Sequence, residues 1–252
     1  MTPELRESID AAYVTFGSYT VSRPLDVCTA CCVVPEQERL LLNPRVREIP
    51  FRTLDIWNHA AKPHEPSLAE FKHFLPRFLE MVASFEFSSI SVELSLRSFQ
   101  YYRDTDWTEA ERKIISAFAQ AYFRHCLSLY PPPGYAFRID ELLLMLWPAP
   151  IEFDALLRCW EETDTIEATS HFAEFVLQGL KNAPELDYEN AFAGPDFKAR
   201  LVDWVTDDRV VLLFSQRLED LILGDDQDGE VDQAELSWAL DRLLWMGTKH
   251  AS

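Results

Sequence analysis

The chain has 252 residues, of which 48% are hydrophobic, and a formal net charge of −19. This composition suffices for a full hydrophobic core, while the negative charge repels phosphate backbones and anionic lipid and therefore argues against nucleic acid and membrane as partners. The longest uninterrupted apolar run, residues 142–147, is far shorter than the ~20 residues of a transmembrane helix. Charged residues near the N-terminus are unlike an apolar signal-peptide segment, so we expect a cytoplasmic protein.

The excess of acidic residues is concentrated near the C-terminus. Twelve acidic residues lie between Asp203 and Asp241, against only Arg209 and Arg217, which gives this segment a net charge of −10. Such a surface attracts a basic protein and accelerates their encounter. The alternative is that the charge only keeps the protein dissolved.

Apolar residues recur with the 3.6-residue period of α-helices along most of the chain, and no segment shows the sustained alternation of a half-buried strand. In chain order, the predicted helical segments cover residues 3–16, 35–42, 51–61, 68–82, 90–102, 108–129, 140–147, 153–162, 166–180, 197–205, 209–223 and 233–246. Capping signals support several of these starts, namely Thr2, Ser67 with Glu70, Thr108 with Glu111, and Asp232 with Glu235. We expect β structure to be absent or limited to a short hairpin in residues 19–34.

These segments predict an all-α fold, an irregular multi-helix globular domain of about ten helices. A short α-solenoid is the alternative, but the sequence shows no repeat of fixed period. We expect residues 1–252 to form a single helical domain. A sub-boundary is expected at residues 131–138, because the run Pro131-Pro132-Pro133-Gly134 stops the helix before it.

The segment from Gly224 to Glu235 resembles an EF-hand calcium loop. With Gly229 as the sixth position, the predicted calcium ligands are Asp226, Asp228, Asp232 and Glu235. The first position should be Asp and is Gly224, so we describe the loop as a degenerate EF-hand. The alternative is a turn followed by a helix cap at Asp232.

Three of the five cysteines form a cluster at Cys28, Cys31 and Cys32. The odd number of cysteines and the expected compartment argue against a disulfide framework. A zinc site is one interpretation, with the ligands Cys28, Cys31, His59 and His64. Inert thiols and a redox-active pair are the alternatives.

No motif of an enzyme family is present, since the chain lacks GxGxxG, a P-loop, HExxH and GxSxG. The sequence therefore favours a non-enzymatic, acidic interaction protein without a cofactor, in its sharpest form an immunity or antitoxin-like inhibitor that occludes a basic partner protein. The residues predicted to bind that partner are Asp225, Asp226, Asp228 and Glu230. The alternative is a metal-binding module that uses the calcium or zinc residues above. The oligomeric state is left open.

Overall fold

A computed structural model describes residues 1–28, 32–62, 66–181, 186–224 and 232–250, with side chains to residue 247. The α-helices of these residues are α1 (Pro3–Phe16), α2 (Pro35–Leu42), α3 (Phe51–His59), α4 (Leu68–Ala83), α5 (Glu109–Leu127), α6 (Ile139–Leu146), α7 (Asp154–Glu162), α8 (Ile166–Glu174), α9 (Pro195–Val205), α10 (Asp208–Leu223) and α11 (Gln233–His250). A π-helical segment, Phe175–Gly179, continues α8. The predicted all-α, multi-helix globular fold is confirmed.

Two local predictions were wrong. The described residues of the segment 19–34 form no hairpin; instead β1 (Leu180–Lys181) pairs antiparallel with β2 (Asp187–Tyr188). The predicted helix at 90–102 is replaced by two 3-10 turns, Val92–Leu94 and Arg97–Tyr101. Here the Asn58 amide donates to the carbonyl oxygens of Leu94 and Ser95, which an α-helix would use internally, so tertiary contacts compete with the helical pattern.

Within the described part of the chain, no helix combines the length and the apolar character needed to cross a membrane.

The chain divides into two compact units by its internal contacts. Unit 1 comprises residues 1–125 and 145–153, and unit 2 comprises residues 126–144 and 154–252. Residues 131–138, where the sequence predicts a sub-boundary, lie inside unit 2. The prediction of a single domain concerns cooperative folding and stays a prediction.

The core of unit 1 is built on the apolar face of α4. Its aromatic side chains pack edge-on or tilted against Trp57, Phe99 and Trp107, with ring centroids 4.9–6.1 Å apart. α1 packs against the same helix, and its side chains Leu5, Ile9 and Phe16 are buried.

The core of unit 2 is an aromatic cluster around Trp160. Phe172 from α8 stacks flat on Phe214 from α10, with ring centroids 3.7 Å apart. Trp204 and Phe175 pack against the same indole. These rings hold α7, α8, α9 and α10 together, and α11 packs against α8 and α10.

Candidate functional site

Most of the predicted partner-binding and calcium residues fall outside the described part of the chain, namely Asp225, Asp226, Asp228 and Glu230. Asp232 and Glu235 are described, and both are exposed at the start of α11. The Asp232 carboxylate accepts a hydrogen bond from the backbone N–H of Ala234 at 2.8 Å, as expected for the cap. Calcium binding by this loop stays a prediction.

The structure describes two of the four predicted zinc ligands, Cys28 and His59. The other two, Cys31 and His64, lie outside the described ranges. Cys28 is half-buried, and its backbone N–H donates to the carbonyl of Ala61. Among the described residues, no group of three or more His, Cys, Asp or Glu side chains is placed to hold a metal ion. With two of its four ligands undescribed, the zinc site stays a prediction.

His59 is instead the centre of a polar network in unit 1. Its Nε2 lies 2.6 Å from Ser88 Oγ and 3.2 Å from an Asp55 oxygen. Its Nδ1 lies 3.3 Å from the Arg97 guanidinium. Because a guanidinium only donates, Nδ1 accepts and the neutral ring carries its hydrogen on Nε2. This tautomer donates to Ser88 and cannot remove its proton, so the group does not have the geometry of a hydrolase triad.

The network has an evident structural role. Asp55 also accepts hydrogen bonds from the Ser89 hydroxyl and backbone N–H, at 2.7 and 3.3 Å. Burial raises the pKa of the Asp55 carboxyl, but the hydrogen bond to His59 and then those to Ser89 keep it below its usual value. They fasten the serine-rich segment to α3.

In unit 2, α10 and α11 form a hairpin of helices whose facing sides are apolar. The buried side chains of α11 are Leu236, Ala239, Leu243 and Met246, at helical spacing. Near its C-terminal end, a side chain at Gly247 would lie 3.2 Å from a methyl of Val211, so the glycine permits close approach of α10. These four side chains of α11 are therefore buried inside unit 2.

The opposite side of α11 carries large aromatic side chains that remain exposed. Trp238 is 62% exposed and Trp245 is 38% exposed. They are seven residues apart and lie on one stripe, with Glu235 and Asp241 beside them at helical spacing. Both acidic side chains are exposed. We call these four residues the outer face of α11.

The arginines that the structure describes on these two helices bind groups outside this face. Arg209 pairs with Glu161, Arg217 binds the Asp164 carboxylate and two backbone carbonyls, and Arg242 donates to backbone carbonyls of the π-helical segment. Each arginine is thus engaged elsewhere in unit 2. The outer face of α11 combines negative charge with exposed indole surface.

Sequence reasoning placed the acidic surface in this region but missed both tryptophans. Their spacing contains the signal, since Trp238 and Trp245 fall off the stripe formed by Leu236, Leu243 and Met246. A helical projection of residues 233–246 would have put them on the solvent side.

Comparisons with protein-family models, curated proteins and solved structures gave no match to this chain.

Proposed function

We propose that this chain is a non-enzymatic interaction protein that binds a basic partner protein through the outer face of α11. The observation that carries the proposal is an indole with most of its surface in solvent, flanked by two exposed carboxylates on one helix face. In its sharpest form, the protein is an immunity or antitoxin-like inhibitor that occludes a basic toxin.

The physical chemistry of recognition supports this assignment. Tryptophan is enriched among the residues that dominate binding energy in protein interfaces. Its ring also attracts lysine and arginine cations. The net charge of −19 accelerates the approach of a basic partner. Charge gives the rate and orientation, and the indole gives the contact area that resists dissociation.

A synthetic probe tests the proposal without knowledge of the natural partner. The probe is a fluorescein-labelled dodecapeptide of Arg-Arg-Leu repeats, and its Glu-Glu-Leu counterpart is the negative control. Fluorescence anisotropy should show binding of the basic peptide alone. Trp238→Ala should weaken it by tenfold or more, in line with a hot spot of about 2 kcal/mol.

Charge variants separate the contribution of the carboxylates. The double variant Glu235→Gln with Asp241→Asn should slow association and reduce its dependence on salt. The matched control removes two charges from unit 1, with Glu7→Gln and Glu86→Gln, both of which are exposed. Equal effects of the two double variants, or no loss of affinity with Trp238→Ala, would show that the peptide responds only to total charge.

A further inference from the structure

Glu174 occupies an unusual place at the last turn of α8, where the helix widens into the π-helical segment. Its carboxyl is half-buried, and among the described residues its Oε2 finds no hydrogen-bond partner. A π-helical turn leaves the regular hydrogen-bond ladder and is frequent at functional sites. A partly desolvated carboxyl at such a turn therefore needs an explanation.

The groups that face Glu174 are mostly acidic. Asp140, at the start of α6, is completely buried, and Glu141 is next to it. Glu235 from the first turn of α11 adds a third negative charge, and Arg138 is the opposing cation. Burial, together with the repulsion from these carboxylates, raises the pKa of Glu174 to about 7.

Arg138 is already committed to Asp140. Its guanidinium donates to Asp140 Oδ2 at 2.7 Å, and the Tyr188 hydroxyl of β2 donates to the same oxygen at 2.8 Å. The phenol of Tyr130 also faces Glu174, and burial together with the charge of Glu174 raises the pKa of that phenol. Arg138 therefore offsets only part of the repulsion that an ionised Glu174 meets among these groups.

The segment that follows Glu174 is tied to α11. Arg242, one turn from both Trp238 and Trp245, donates to the carbonyl oxygens of Leu177 and Leu180. The outer face of α11 and the turn that begins at Glu174 are therefore joined by one side chain. Glu235 of α11 provides a second connection, because its negative charge acts on Glu174.

We propose that Glu174 is a proton-operated control of α11: with its carboxyl protonated the helix is held against α8 and the π-helical segment, and ionisation loosens that hold. The inference rests on the proposed function, in which α11 is the docking helix. Binding of the partner by α11 would then weaken as the pH rises. The ionised carboxylate repels Glu141 within its own cluster and Glu235 on α11, and also Asp140, whose own pKa is raised by burial. Movement of α11 away from α8 would separate Glu235 from Glu174 and relieve part of this repulsion.

Amide hydrogen exchange of the protein alone tests the coupling. Exchange of peptides from residues 233–247 is measured at about pH 6 and about pH 8 and corrected for the intrinsic rates. The protection of α11 should fall about tenfold over this interval, the change that corresponds to about one pKa unit of coupling. Glu174→Gln, an uncharged isostere of the protonated state, should abolish the fall. Glu167→Gln, the same change earlier on α8, should leave it intact.

The Arg-Arg-Leu peptide provides the second measurement, at the same two pH values. Peptide affinity that declines with pH in the parent protein and in Glu167→Gln, but not in Glu174→Gln, would support control of docking. The same pH response of α11 in the parent protein and in Glu174→Gln would overturn the inference, whatever the peptide does. A response of α11 to Glu174 without peptide binding at either pH would uphold the coupling and reject the docking function.

Discussion

Lys72 and Glu111 form an ion pair that is almost removed from solvent, with only 4% of each side chain exposed. The Lys72 ammonium lies 2.9 Å from the carboxylate and also donates to the Asp106 carbonyl at 2.7 Å. The Tyr19 hydroxyl donates to Glu111 at 2.7 Å. With every charged atom partnered, the pair joins α4 to the start of α5 without leaving a buried charge uncompensated.

Replacing one partner of this pair should be costly. Lys72→Met leaves the Glu111 carboxylate buried without its cation, so we expect the free energy of unfolding to fall by about 3–5 kcal/mol. The double variant with Glu111→Gln should be less destabilised than the two single losses added together. Urea unfolding of the four proteins gives the double-mutant cycle.

The control for that cycle is a solvent-exposed pair of the same unit. Arg124 and Glu4 lie 3.0 Å apart, with 51% and 63% of their side chains exposed. Arg124→Gln should change stability by less than about 1 kcal/mol. If Lys72→Met costs no more than Arg124→Gln, burial does not set the strength of the Lys72–Glu111 pair.

Two titratable groups on α8, Glu174 and His171, make the free energy of unfolding depend on pH in opposite directions. Glu174 has its pKa raised from 4.5 to about 7, so it binds its proton more tightly in the folded state, and the stability it gives is lost as the pH rises through about 7. Burial lowers the pKa of His171 from 6.5 to about 4. The stability given by neutral His171 is present above 6.5 and is lost as the pH falls toward about 4.

The variant Glu174→Gln should separate these two effects. Its free energy of unfolding should exceed that of the parent by an amount that grows between about pH 4.5 and about pH 7 and is then constant. Denaturant unfolding at a series of pH values measures the difference. Glu167→Gln, the same substitution earlier on α8, is the control. A constant difference for Glu174→Gln would contradict a raised pKa.

At the level of single residues, the sequence predicted local contacts and missed distant ones. Thr108 and Glu111 form the predicted capping box, with reciprocal bonds of 2.8 and 3.2 Å. At the other predicted box, Ser67 accepts from the Glu70 N–H, but the Glu70 carboxylate instead accepts from Asp26 and Trp57. The spacing of three residues along the chain fixes the first kind of bond, whereas the second depends on segments 13 and 44 residues away.

At the level of elements, most helices begin and end within a few residues of the predicted bounds, because apolar periodicity and caps are local signals. α8 shows the limit. The sequence predicts one helix over 166–180, whereas the regular helix ends at Glu174 and a π-helical turn follows. The wider turn depends on tertiary packing, since Gly179 lies against the Phe175 ring and the Asp140 carboxylate.

Gly179 is therefore a critical position of this turn. A Cβ at residue 179 would lie 2.8 Å from a ring carbon of Phe175 and 3.3 Å from Asp140 Oδ2. Gly179→Ala should lower the free energy of unfolding by about 1–3 kcal/mol, the usual cost of overpacking. Gly194→Ala is the matched control, because no atom lies within 4 Å of its added Cβ. Thermal unfolding of both variants measures the contrast, and equal melting temperatures would show that the turn adjusts without cost.

At the scale of the whole molecule, the sequence predicted the fold class and the sign of the surface, but it did not select the candidate docking face. Composition and periodicity are summed over the chain, so single errors matter little to them. The outer face of α11 depends on which side of one helix packs inward, and that inward side carries the buried Leu236, Leu243 and Met246. Whether the chain binds a partner there stays a proposal.

The net charge of −19 also leads to a prediction for the thermal stability of the whole molecule. Repulsion among its carboxylates opposes the compact state, and salt screens it over a Debye length of about 10 Å at 0.1 M. Adding sodium chloride at neutral pH should therefore raise the melting temperature by a few degrees. Chloride is preferred to sulfate, which strengthens apolar burial by itself. Near the sequence pI of about 4.6 the net charge vanishes, so the same salt should have little effect there or should destabilise by screening the ion pairs. A melting temperature that falls with salt at neutral pH would mean that the ion pairs outweigh the repulsion.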